Sequence, residues 1–119
     1  MESINNNPAG KVAFAFAQAL VNGQYAAAHA LLSDALKQEV SPQDIESSYK
    51  QMIEYGEGSP SRIEVVNADN MNGWSSKQER DLGWAYVAIC GDRYSEAVSV
   101  MVAQEKEGEV IRKVEWGRP

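Results

Sequence analysis

Apolar residues recur along this chain at two different periods, and the change between them falls near Ser59-Pro60. Ahead of that point the spacing is helical. Val12, Phe16 and Leu20 stand four apart with Ala13 and Ala17 beside them, one apolar stripe on a helix opened by Asn7-Pro8 and stopped by Asn22-Gly23. A second helix is predicted from Gln24-Tyr25 onward, with Ala28, Leu31, Leu32 and Ala35 on one side. Ser41-Pro42 opens a third, with Asp44 in the first turn, where the helix dipole favours an anion. Ile45, Tyr49, Met52 and Ile53 make its buried face, and Gly56 and Gly58 end it.

From Arg62 onward the period becomes two, which predicts strands over 62–68, 82–90, 94–104 and 110–116. Gly91-Asp92 and Glu107-Gly108 read as tight turns, so the last three strands form an antiparallel meander. With Gly91 and Asp92 as the whole loop, Trp84 falls opposite Ser99, Tyr86 opposite Ala97 and Leu82 opposite Met101. Val87, Ile89, Val98, Val100 and Val102 share the other face. The fold class expected is α+β: three N-terminal helices on a curved antiparallel sheet of about four strands, in one domain over residues 1–119. An antiparallel sheet packed on one side alternates apolar with polar. Two apolar faces therefore point to a covering partner, and a homodimer through the sheet is the expected one.

Charge narrows the partners. Seventeen acidic against eleven basic residues give a net charge of −6, which repels a phosphate backbone, so nucleic acid is not an expected partner. A basic protein or a cationic small molecule is easier to attract. Cys90 is the single cysteine and His29 the single histidine, so neither an internal disulfide nor a metal set is offered, and no cofactor is expected. Gly56-Glu57-Gly58 follows a helix instead of opening one, unlike a phosphate loop. Residues 1–7 lack the basic stretch and apolar run of a secretion signal, and no segment is apolar over about 18 residues, so no membrane contact is expected. The expected location is cytoplasmic, or exported if a leader has been removed.

The phrase Phe16-Ala17-Gln18-Ala19-Leu20, then Gly23-Gln24-Tyr25-Ala26-Ala27-Ala28 and Leu31-Leu32-Ser33, ahead of a long meander, resembles the nuclear transport factor two-like superfamily, also called SnoaL-like. The resemblance implies a cone: a curved sheet wrapping the long helix, a pocket at the open end, and often a dimer across the sheet's outer face. That superfamily holds isomerases, dehydratases, cyclases, transport adaptors, immunity proteins and binding domains, so fold does not choose among functions.

Isomerase chemistry of the ketosteroid kind needs an Asp base with a Tyr and a protonated Asp in an apolar site. Asp34 and Asp44 sit at helix ends or in loops, and Asp69, Asp81 and Asp92 near strand ends, where solvent keeps them ionised. His29 stands one turn after Tyr25 and one before Ser33. It is either a general base reaching the pocket or a hydrogen-bonded helix residue. The cone places Tyr25, Tyr49, Trp84, Tyr86 and Trp116 toward helices or cavity, as ligand contacts or as ordinary core. Trp74 lies in a polar stretch, as a lid or a contact, and Arg118 at the end of the chain closes the mouth or makes a surface ion pair. The expected function is a non-catalytic binding domain for a small apolar ligand or a partner protein, one form being an immunity-type neutraliser of a basic partner. The alternative is a small SnoaL-like isomerase or dehydratase with a pocket-lining His29.

Overall fold

A computed structural model describes residues 8–54, 62–69, 71, 73, 75, 78–91, 95–106 and 108–116. Helix α1 (Pro8–Val21) buries Ala9, Gly10, Ala13, Phe16, Ala17, Ala19 and Leu20. Most of these are small, so the helix lies close on the sheet, and Phe16 and Leu20 supply the bulk that fills the space beneath. The helix stops where the sequence says. Gly23 takes φ 73°, its N–H donates to the Leu20 carbonyl at 3.1 Å, and the Gln24 N–H donates to the Ala19 carbonyl at 2.8 Å. Such a paired closure satisfies two end carbonyls and needs a residue without a Cβ penalty at the left-handed position.

The second predicted helix is two helices, α2 (Tyr25–Ala30) and α3 (Asp34–Glu39). Between them Leu31, Leu32 and Ser33 join the last strand at Ile111. The Ile111 N–H donates to the Leu31 carbonyl at 2.8 Å and the Ser33 N–H to the Ile111 carbonyl at 2.7 Å. Ser33 then caps α3 by accepting the Leu36 N–H at 3.2 Å. Ala35, expected on the buried side of one continuous helix, is exposed after this break.

Helix α4 (Pro42–Glu54) buries Ile45, Tyr49 and Met52. A reciprocal cap starts it: the Asp44 N–H donates to the Ser41 hydroxyl at 3.1 Å and the Ser41 N–H to Asp44 Oδ2 at 2.9 Å. Pro42 occupies the first helical position, where a missing N–H costs nothing. Ser41→Ala is expected to lower unfolding stability by about 1 kcal/mol, read as a shift of the urea midpoint at constant slope. The glycines expected to end α4 and Asn7 at the start of α1 lie outside the described residues.

The sheet runs β1 (Arg62–Asp69), β2 (Asp81–Cys90), β3 (Ser95–Glu105), β4 (Gly108–Trp116), each antiparallel to its neighbour in the order β1-β2-β3-β4. Among the described residues four helices thus precede a curved, open four-stranded meander, an α+β fold. The β2–β3 register differs from the expected one. Cys90 pairs Ser95, so four residues separate the strands, and Trp84 faces Met101, Tyr86 faces Ser99 and Ala88 faces Ala97. Leu82 has no direct partner, because the register shifts between Asp81 and Gly83. The offset of two residues leaves Trp84, Tyr86, Ala97, Ser99 and Met101 on one face and Val87, Ile89, Val98, Val100 and Val102 on the other, as expected, whereas Leu82, at the register shift, packs against the core. Ala85, Val87, Ile89, Val98, Val100, Val102 and Ile111 form the core with Phe16, Leu20 and Leu32. No described helix is long and apolar enough to cross a membrane.

Candidate functional site

At the helical end of β4 a partly open apolar cavity of about 90 Å³ is lined by α1, the α2–α3 connection, α3, the α3–α4 joint, α4 and β4. Phe16, Leu32, Leu36, Val40, Ile45, Val114 and Trp116 make its walls, and Asp44 and Ser48 are its polar members. Phe16 and Trp116 face each other at 5.9 Å between ring centroids with planes tilted by 48°, within the range of favourable aromatic pairs. Leu36 reaches the wall from α3 and Val40 from the extended joint that follows it, while Asp44 and Ser48, one turn apart, reach it from α4. Asp44 is held by its cap to the Ser41 N–H and keeps an exposed carboxylate beside the apolar walls.

The volume sets what enters. At roughly 30 Å³ per water it equals about three waters, and it falls short of the ~150 Å³ that holds benzene. A short apolar group of three or four heavy atoms fits. Metal chemistry has no donor set here: among the described residues no three of His, Cys, Asp and Glu are grouped.

The six residues singled out in the sequence lie in four places. Trp116 lines the cavity. Tyr25 and Tyr49 pair at 6.3 Å between α2 and α4. His29 sits between these regions with Nε2 at 2.8 Å from the Val40 carbonyl. Since a carbonyl only accepts, that nitrogen carries the proton and donates it. His29 is off the cavity wall and holds the backbone of a wall residue, Val40. Trp84 and Tyr86 pair at 6.1 Å on the outer sheet face. There Trp84 borders a dimple of about 10 Å³ with Ser99, Met101, Lys113 and Glu115. Trp74 and Arg118 lie outside the described residues.

Asp81 is a correction. Expected in solvent at a strand end, it is buried, and its carboxylate takes a forked pair from Arg112: Nε to Oδ1 and a terminal nitrogen to Oδ2, both at 2.6 Å. The Gln78 N–H adds a third bond to Oδ2 at 2.8 Å. Asp81 pairs Ala103, whose short side chain leaves room, and Arg112 is the extra residue where the β3–β4 register shifts between the Ile111 and Lys113 pairs. The hydrogen bonding that Arg112 donates to Asp81, ahead of the carboxylate's charge, holds the guanidinium pKa above its ordinary value. The pair ties β2 to β4 across β3. Comparison with protein-family models, with curated proteins and with solved structures gives no match for this chain.

Proposed function

We propose that the chain is a non-catalytic binding domain, cone-shaped in the nuclear transport factor two-like sense, that takes a short apolar group bearing a positive charge into the cavity beside Trp116. The observation that carries this reading is a small apolar cavity whose one charged wall residue, among the described residues, is Asp44 with its carboxylate. Burial of apolar surface supplies the attraction, and the carboxylate selects a cation over a neutral or anionic group. The acidic balance of the chain, −6 overall, acts in the same direction at longer range.

Titration of the ¹⁵N-labelled chain with butylammonium and, in parallel, with butanol tests this. Both probes are expected to shift the amides of Leu36, Val40, Ile45, Val114 and Trp116. Butylammonium is expected to bind up to about fivefold tighter, since an exposed ion pair contributes up to about 1 kcal/mol. Asp44→Asn is expected to remove that preference and keep both probes binding, while Ile45→Trp, which fills the cavity, abolishes both. Titrations of both probes that leave these amides unmoved would refute the proposal.

A further inference from the structure

The two edges of the sheet are treated differently. On β4 the connection between α2 and α3 takes up the edge at Ile111 through two backbone hydrogen bonds. On β1, among the described residues, no strand and no backbone hydrogen bond lies beyond the ladder with β2. Unpaired edges invite another strand and are normally guarded by lysine, proline, inward charge or a bulge. Strand β1 reads Arg-Ile-Glu-Val-Val-Asn-Ala-Asp, without lysine or proline, and its guard is an irregularity between Val65 and Asn67. Beside it stand the two large apolar side chains that are exposed among the described residues, Phe14 at 41% and Val66 at 48%. Phe14 shares an open groove of about 430 Å³ with Gly10, Lys11 and Val65.

Charge and face together name the occupant. Reversed upon itself about the point between Val65 and Val66, β1 sets Arg62 opposite Asp69, Ile63 opposite Ala68, Glu64 opposite Asn67 and Val65 opposite Val66. Opposite charges meet at both ends and no like charges face each other, the arrangement that favours cross-strand pairing. The faces also agree. Arg62 and Glu64 pair with Cys90 and Ala88, and Asn67 and Asp69 pair with Tyr86 and Trp84, all on the outer face. Ile63 and Ala68 pair with Ile89 and Ala85, on the inner face. In a regular strand, residues seven apart point to opposite faces. The extra residue at Val66 corrects the parity, so the bulge that guards other edges makes this strand its own complement.

We propose that two copies of this chain pair antiparallel along β1, Arg62 of one copy opposite Asp69 of the other, to form a continuous eight-stranded sheet with Phe14 and Val66 covered at the twofold axis. This isologous arrangement closes on itself and leaves no further free β1 edge. It differs from a dimer across the outer face, which would cover Trp84 and Tyr86 and leave β1 open.

Sedimentation equilibrium of the intact chain up to about 100 µM, a range that detects micromolar pairing, reads the outcome. Twice the monomer mass is expected at the upper end. Val66→Lys, an exposed position whose fold is checked by circular dichroism, is expected to weaken the dimer at least about tenfold. Arg62→Asp is expected to weaken it and the double variant Arg62→Asp with Asp69→Arg to restore it. Val66→Cys is expected to give a covalent dimer on mild oxidation, because the two positions lie half a residue step either side of the axis, within about 6 Å between Cα atoms. A monomer at every concentration overturns the proposal. So does a dimer indifferent to Val66→Lys and lost with Trp84→Lys, which would place the contact on the sheet face.

Discussion

Asp81→Ala is expected to lower unfolding stability by about 3 kcal/mol, the low end of the usual cost of stranding one partner of a buried ion pair. The Asp81 side chain is 0% exposed and that of Arg112 18%, so the abandoned guanidinium recovers some hydration but not all. The variant also deprives the Gln78 N–H of its acceptor, a second loss at the entry to β2. In a chain of 119 residues, a loss of this size corresponds to a melting midpoint lower by roughly 10–15 °C. The expectation has a sharper form in a double variant. Asp81→Leu combined with Arg112→Met removes both charges and keeps the volume, and the combined cost is expected to fall well below the sum of the two single substitutions. Thermal unfolding followed by circular dichroism gives all four corners of the cycle. Additive costs, or an Asp81→Ala loss under about 1 kcal/mol, would show that the forked pair is not a coupled unit.

The Asp81–Arg112 pair also marks what the sequence conceals. A bulge has no local signature in β4, so nothing near Arg112 announces that it leans over Ala103 toward Asp81, and a strand-end aspartate reads as solvated. The break at Leu31–Ser33 is hidden for the same reason: its cause is the backbone of Ile111, distant in sequence, which competes successfully with a helix made largely of alanine. The faces of the strands are legible because period two depends on local alternation alone. Their partners are not, since the loop after Cys90 holds four residues and not the two that Gly91-Asp92 suggests. The cavity is half legible. Leu36, Val40 and Asp44 stand four apart, yet the helix start at Ser41-Pro42 divides them between two elements. Trp116 carries the aromatic signal, while Val114 looks like any inward strand residue.

Phe16→Ala is expected to have the largest effect of any single substitution, a loss of about 3–5 kcal/mol, because a fully buried ring leaves both its transfer energy and a residual cavity behind. Domains of this size hold about 5–15 kcal/mol in total, so the variant is expected to fold at low temperature and to unfold early. Its value lies in what the missing ring opens. Phe16 is a wall of the 90 Å³ cavity and packs at a tilt against Trp116, so its removal joins the space of an aromatic ring to a space already apolar. The enlarged cavity is expected to exceed the ~150 Å³ that stays dry and accepts benzene. Benzene at about ten times its dissociation constant then raises the stability of Phe16→Ala by about 1.4 kcal/mol through mass action, while the native chain is unaffected. Collapse of Trp116 and Leu36 into the gap would give the opposite pattern, a smaller loss near 3 kcal/mol and no response to benzene. The two outcomes separate a cavity held open by α3, α4 and β4 from one propped open by a single ring, and a binding domain requires the first.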